Sequence, residues 1–398
     1  MRHWVLIESN TTGSGAIAVQ LLRDRGDDVT FVTRDRSKYP FLDGLRVLDA
    51  DTNDVASLVP LVDRLAPDAL VTFSTFYVTT VAELASRLRL RFLSPHAAAT
   101  CHDKIASRRA LKAAGLPGPR YWEVSSATDA AAAAAEVKYP CVMKPPTSSG
   151  STGVLRVEDS RQLCDHYERL TVSCVNERGQ AQPATVLVED LLDGPEYSVE
   201  SVSLAPGQTR IIGVTRKHLS TPPWFVELGH DFPAAVSHIE RRAIEECVQE
   251  GLAAVGYDFG PAHTELKYTS SGPVIVEINP RLAGGMIPEL VRLAYGVDLI
   301  DAYLRMLAGN TPQLDPTRHE QASIRFVTAP QPGTLRSLPD CSDLCARPGV
   351  AALALTATPG RVVQPPQSAE DRLGYVISNR PDLCDSVLRE VIGRLDIR

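Results

Sequence analysis

The chain has 398 residues, of which 44% are hydrophobic and 22% charged, and a net charge of −7. That length suits two or three domains with ample core, and the composition is that of a soluble globular protein. Both signs of charge are spread along the chain, which excludes a nucleic-acid footprint or a basic membrane-surface run, and no stretch is apolar for long enough to serve as a signal peptide or membrane span.

The first 95 residues alternate between two patterns. Strands are expected over 3–8, 28–33, 45–50 and 69–74, and helices over 16–24, 55–65 and 78–88, with a turn at 11–15. This α/β alternation implies a parallel sheet covered on both faces. Gly13 and Gly15 invite a dinucleotide reading, but Ala18 replaces the third glycine of GxGxxG. Thr33 and Arg34 stand where an acid should close the second strand, so a small-substrate loop or a tight turn fits better. Residues 97–115 read as helical, stopped by Gly115 and Pro117.

A strand over 121–124 and an alanine-rich helix over 127–137 follow. A strand over 141–146 ends in the loop TSSGSTG (147–153), and 154–159 returns as a strand. Residues 175–183 read as a mobile surface loop. Strands over 185–192 and 196–204 are broken by Asp193-Gly194-Pro195, and another strand covers 210–219. Helices are expected over 239–255 and 287–307. Short strands and Gly/Pro turns follow residue 311, then a helix over 382–395. The eight cysteines include no CxxC pair, and Cys341 and Cys345 lack histidine partners. Free buried thiols in a reducing cytosol account for them, so a cytoplasmic location is expected.

The stretch 263–285, HTELKYTSSGPVIVEINPRLAGG, carries the most chemistry. It reads as two strands around a Ser270-Ser271-Gly272-Pro273 turn. Folded about position 271, Glu265 falls opposite Glu277 and His263 opposite Asn279, all on one face. Facing carboxylates repel. A hard divalent cation between them removes the repulsion, and a few oxygen donors suit Mg²⁺ held together with nucleotide phosphates. Arg281 then places a fixed charge where a phosphate would sit. The other reading is a surface hairpin with scattered charges.

Residues 147–153 offer backbone N–H groups and hydroxyls with little bulk, as a lid over polyphosphate does, although a plain hairpin turn reads the same way. Lys144, just upstream, reaches toward a phosphate or forms a structural salt bridge. The segment VEDLLDGPEYSVE resembles a hinge: backbone groups from Glu189 through Asp190 and Leu191 to Leu192 would meet adenine, and Glu196 would accept from ribose hydroxyls. Its alternative is a strand edge with solvated acids. Asp103 is a good helix N-cap, while Lys104 beside it opposes the helix dipole and calls for a ligand phosphate.

In this order the pieces resemble the ATP-grasp family: Lys104, KPP with Lys144, SSGSTG, VEDLLDGPE, HTELK and EINPR. RPGV, TPGRVV and DRLGYVI resemble the small carboxy-terminal lobe of its biotin-carboxylase and amino-acid-ligase branch. The resemblance implies an N-terminal parallel α/β domain (1–95), a helical linker (96–120) and a lid subdomain (121–190). A metal and phosphate subdomain (191–310) and a C-terminal lobe (311–398) complete it. It implies ATP and Mg²⁺ as cofactors. Lys104 and Lys144 would contact phosphates, and Ser148, Ser149, Gly150, Ser151, Thr152 and Gly153 would cover them. Glu265, Glu277 and Asn279 would hold Mg²⁺, and Arg281 would stabilise the transferred phosphoryl group. His263 is similar to a histidine near the acceptor site of bacterial L-amino-acid ligases, and Gly284, Gly285 and Met286 would approach the carboxylate substrate.

The segment 221–234 would line the acceptor region, with Trp224 and Phe225 against an apolar side chain and His230 sensing a polar group; ordinary loop packing is the other reading. Lys217, just before it, either touches phosphate or ends a solvated strand. The function implied is an ATP-dependent ligase that joins a small-molecule carboxylate to an amine through an acyl phosphate. Alternatives are a biotin-carboxylase-like or formyl-phosphate enzyme of nucleotide metabolism, and an inactive nucleotide-binding regulatory protein. No nucleic-acid or membrane partner is expected. Many ligases of this shape are homodimers, a state that no surface feature of this sequence dictates.

Overall fold

The computed structural model describes every residue except Thr12, Ser149 and Cys174. Strand β1 (His3–Ile7) is apolar on both faces. Trp4 and Leu6 enter one core and Val5 and Ile7 another, as expected of a strand covered on both sides. Helix α1 (Ser14–Asp24) leads to β2 (Asp28–Thr33) and β3 (Arg46–Asp49). Helix α2 (Val55–Leu65), β4 (Ala69–Val71) and α3 (Val78–Leu88) complete the unit. The sheet is parallel, in the order β3-β2-β1-β4. Because β1 lies between β2 and β4, successive crossovers leave it in opposite directions and open a crevice at the strands' carboxyl ends.

The helical region expected over 97–115 holds two helices, α4 (Pro95–His102) and α5 (Lys104–Ala113), the second opening at Asp103 and Lys104 as expected. Asp103 between them is extended, and its side chain caps α5 by accepting from the Ile105 and Ala106 amides. Next come β5 (Tyr121–Val124), α6 (Ala127–Glu136), β6 (Cys141–Lys144), β7 (Leu155–Val157), α7 (Ser160–Thr171) and β8 (Val186–Asp190). Their antiparallel sheet has the order β5-β8-β6-β7. Helix α7 was not expected. Asp159 caps it through the Gln162 amide, and Leu163, His166 and Tyr167 form its buried stripe.

Within the loop expected to be mobile, 175–183, residues 175–181 close through a Val175–Ala181 bridge and dock on the N-terminal domain. Gln180 donates to the Phe76 carbonyl at 2.8 Å, Arg178 to the Tyr39 hydroxyl at 3.1 Å, and Asn53 to the Arg178 carbonyl at 3.0 Å.

The remaining elements build a large sheet. Strands β9 (Glu196–Ser203), β10 (Thr209–Leu219) and β11 (Glu227–Phe232) precede helix α8 (His238–Ala254). Strands β12 (Gly260–Thr269) and β13 (Gly272–Asn279) precede α9 (Ile287–Tyr295) and α10 (Leu299–Leu307). Gly296, at φ 71°, ends α9, and Asp298 caps α10, so the helix expected over 287–307 is divided. Then follow β14 (Ala322–Thr328), β15 (Gly333–Ser337), α11 (Ser342–Cys345), β16 (Val350–Leu355), β17 (Val362–Val363), β18 (Arg372–Ser378), α12 (Pro381–Gly393) and β19 (Asp396–Ile397).

The eight-stranded order is β13-β12-β9-β10-β11-β14-β18-β16. The sheet therefore runs continuously past residue 311 into the carboxy-terminal lobe. Segment 221–234 is only partly loop, because Glu227–Phe232 pairs with β10 and β14 as a central strand. Among the described residues no helix is long and apolar enough to cross a membrane.

Leu163 is fully buried in the core between α6, α7 and the lid sheet. Leu163→Ala is expected to cost about 2–5 kcal/mol of lid stability. Urea denaturation followed by the fluorescence of Trp122, which packs against this core, measures it.

Candidate active site

The hairpin places the two acids together by a route that simple folding misses. Ser270 and Ser271 form a two-residue turn, and Thr269 pairs with Gly272. Continued without interruption, that register sets Glu265 against Val276 and turns Glu277 to the opposite face. One extra residue, a β-bulge at Val276, corrects it. Beyond the bulge Glu265 opposes Glu277 and His263 opposes Asn279. The expected pairing is present, although the turn lies elsewhere.

A cavity of about 260 Å³ covers this face. Glu265, Glu277, Asn279 and Arg281 form one wall, and Lys104, Lys144 and Lys217 bring positive charge to it. Ser148, Gly150 and Ser151 roof it, with the Ser151 hydroxyl donating to the Phe225 carbonyl at 3.3 Å. Ser149, expected in the same loop, lies outside the described residues. Asp190, Leu191 and Leu192 border the cavity, as does Glu196. The Leu192 carbonyl accepts from Lys267 at 3.1 Å. Thr152, Gly153, Trp224, His230 and Met286 are not among its lining residues, whereas Gly284 and Gly285 are.

Cations already neutralise the acids. Lys104 Nζ lies 3.1 Å from Glu277 and donates to the Ser148 carbonyl at 2.8 Å. Lys217 is buried and touches Glu196, Glu227 and Glu265 at 3.0, 2.9 and 2.9 Å. It is therefore no solvated strand end. Burial opposes its charge, but Glu227, Glu265 and Glu196 outweigh burial and hold its pKa well above the ordinary value. His263 bridges Glu200 at 2.9 Å and Glu265 at 3.2 Å. Burial pushes it down, yet those two carboxylates raise it to about 9, so it is an imidazolium at neutral pH. Burial likewise works against Glu265, and Lys217 with His263 keeps it ionised, far below the usual carboxylate range.

A second buried group sits where α5 meets the lid. Glu189 lies within the lid sheet, paired with Tyr121 and Val142. Its carboxylate meets Lys144 at 2.5 Å and also Arg108. Burial raises Glu189, but Arg108 and Lys144 outweigh that and hold it at about 2. Burial pushes Lys144 down more than Glu189 pulls it up, with Arg108 and Lys104 adding to the depression.

Arg281 is oriented from the N-terminal domain. Its Nε donates to the Thr75 hydroxyl and its Nη1 to the Leu282 carbonyl at 2.7 Å. His230 lies behind the glycines, fully buried, with neither ring nitrogen hydrogen-bonded. Burial lowers it to about 3, so it is neutral. A Cβ on Gly285 would stand 2.5 Å from His230 Nε2, at a φ of +57°, so only glycine fits there. Arg108, Glu200, Thr75 and Arg372 were not expected at the site, and Glu227 only as an unnamed part of segment 221–234. Arg372 bonds Glu227 at 3.2 Å and stacks on Phe326 at 3.6 Å.

Glu265, Glu277 and Asn279 present two carboxylates and an amide oxygen, a hard donor set that fits Mg²⁺. Among the described residues no group of three or more acidic, histidine or cysteine side chains forms a full metal cage. A Mg²⁺ site of this kind is completed by nucleotide phosphates and water.

Residues 137–289 match the family described as ATP-grasp domain, and residues 325–398 match L-amino acid ligase C-terminal domain 2. The chain is 30% identical over 404 residues to the uncharacterized protein y4rH of Sinorhizobium fredii, covering 100% of this chain and 83% of that one. It is 26% identical over 272 residues to the alanine–anticapsin ligase of Bacillus amyloliquefaciens, covering 64% of this chain and 56% of the relative. A crystal structure of L-amino acid ligase from Bacillus licheniformis superposes with a TM-score of 0.82 at 20% identity, covering 100% and 99% of the two chains.

Removing the Glu189 carboxylate leaves Arg108 and Lys144 buried without their counter-ion. Glu189→Gln is expected to cost about 3–5 kcal/mol, read as a lower melting temperature. A depressed carboxyl stabilises above its unfolded pKa and loses that contribution as pH falls through its folded one. The gap between wild type and variant therefore narrows from the ordinary value of 4.5 down to about 2. Melting curves over that range check the sign.

Proposed function

The chain belongs to the ATP-grasp superfamily, in its carboxylate–amine ligase branch, and from that premise we propose that it activates a carboxylate as an acyl phosphate and joins it to the amine of an amino acid or similar small metabolite. The observation that carries this reading is the facing pair Glu265 and Glu277 under a cavity ringed by Lys104, Lys144 and Arg281.

A carboxylate oxygen attacks the γ-phosphorus of ATP, the bond to the β-phosphate oxygen breaks, and ADP leaves. The amine then attacks the acyl carbon, inorganic phosphate departs with its oxygen, and the nitrogen sheds a proton. Such chemistry needs positioning and charge neutralisation more than covalent help. In this reading Lys104 and Lys144 bind phosphates, and Ser148, Gly150 and Ser151 cover them. Ser149 belongs to the same proposed lid. Glu265, Glu277 and Asn279 would hold Mg²⁺, which when bound neutralises charge on the phosphates.

Arg281 meets the transferred phosphoryl group, in the orientation that Thr75 favours. The segment from Glu189 to Leu192 borders adenine, and Glu196 meets ribose. His263 acts as a fixed cation that orients Glu265, since both its nitrogens are engaged by carboxylates. Gly284 and Gly285 line the cavity where the substrate carboxylate would approach, and neutral His230 supports Gly285 from behind; His230, Trp224 and Met286 act from outside the cavity wall. The carboxy-terminal match to an L-amino acid ligase domain supports an amino acid as substrate over bicarbonate or formate.

Purified protein screened for ADP release with amino acids singly and in pairs, followed by mass spectrometry, tests this. One pair is expected to give ADP, phosphate and a condensed product. Glu277→Ala and Arg281→Ala should each lower that rate by ~10²–10³. A Glu277→Ala protein with full acid-dependent ADP release would remove the metal assignment.

A further inference from the structure

We propose that Arg108 is a positioning residue for the magnesium–nucleotide site: it clamps the β-bulge that turns Glu277 toward Glu265 and, through Glu189, aims Lys144. This rests on the proposed reading for the bound nucleotide and for Glu265 and Glu277 as magnesium ligands, and not on ligation itself.

The bulge is the weak point of the hairpin. It lies on β13, the edge strand of the large sheet, where outward carbonyls have no neighbouring strand. The extra residue breaks the ladder there. Arg108 fills that gap from α5. Its Nη1 donates to the Ile275 carbonyl at 2.5 Å and its Nη2 to the Val276 carbonyl at 2.9 Å, the residues at the bulge itself. Its Nε donates to the Glu189 carboxylate, whose other oxygen holds Lys144. One rigid, planar fork thus fixes a backbone irregularity and a phosphate-site lysine together.

The side chain is 5% exposed, and each of its three nitrogens is used. The same helix carries Lys104 four residues earlier, on the same face, against Glu277. Relaxing the clamp lets the bulge move or slip, and a slip of one residue takes Glu277 off the cavity face. A buried arginine that only supports the fold would leave the metal response of the site untouched.

The test uses the full chain and a non-hydrolysable ATP analogue, adenylyl-imidodiphosphate. Calorimetric titrations with and without Mg²⁺ give the factor by which magnesium tightens nucleotide binding. Arg108→Lys keeps the charge but cannot span two carbonyls and a carboxylate, and Arg108→Gln serves as a second variant. In a variant that still melts cooperatively, titrated well below its own melting temperature, the magnesium factor should fall about 10–100-fold, as when the outer partners of metal ligands are lost. An unchanged factor in such a variant overturns the proposal. So does loss of cooperative melting in both variants, which makes Arg108 a fold residue, and so does a wild-type protein without a magnesium factor. If the factor falls as expected while no acid–amine pair releases ADP, the positioning role stands and the ligase reading fails. If pairs release ADP and the factor is unchanged, the reverse holds.

Discussion

Two carboxylates held across one strand pair set the terms for everything around them. Facing side chains in an antiparallel ladder have Cβ atoms about 5 Å apart, and like charges at that range repel by a few kcal/mol near a protein surface. Glu265 and Glu277 are tolerated because three cations meet them, two from other elements and one from their own hairpin. Lys217 comes from β10, Lys104 from α5, and His263 sits one pleat away on the same strand. Lys217 alone gathers three carboxylates around a buried ammonium. The arrangement balances charge closely and leaves oxygens facing the cavity, which suits a site that receives phosphates with their cation.

The architecture follows from that balance. The N-terminal sheet contributes Thr75 from the carboxyl end of its crevice, and Thr75 holds Arg281. The lid contributes Lys144 and the roof of Ser148, Gly150 and Ser151. Helix α5 lies between them and touches both through Lys104 and Arg108. The carboxy-terminal strands extend the large sheet, and Arg372 on β18 closes the far side by binding Glu227. Each part of the chain places at least one charged or polar group at a single cavity.

Much of this was legible in the sequence because it is local. The acid pair lies in one hairpin, and the alternation of strand and helix fixes the N-terminal sheet. Even so, the register was right through two compensating departures, a tighter turn and a bulge. Neither Ser270-Ser271-Gly272 nor Val276 announces which residue is the extra one. Arg108 was invisible because its partners lie 81, 167 and 168 residues away. Glu227 was not singled out within segment 221–234 for another reason: the prolines and Trp224 before it read as loop, and the strand status of Glu227–Phe232 comes from its neighbours β10 and β14. Helix α7 did carry a signal, Asp159 with Gln162 three residues on and an apolar 3-4 spacing after it. The docking of residues 175–181 depends on Tyr39, Asn53 and Phe76, far upstream, so a local reading sees only a polar loop.

The most direct measurement is a crystal structure of the protein with Mn²⁺ and adenylyl-imidodiphosphate, with manganese located by anomalous scattering. The ion should lie between Glu265 and Glu277, about 2.0–2.2 Å from a carboxylate oxygen of each, with the analogue's phosphates completing its shell. A manganese peak away from this pair, or a nucleotide seated outside the cavity between the lid and the large sheet, would contradict it.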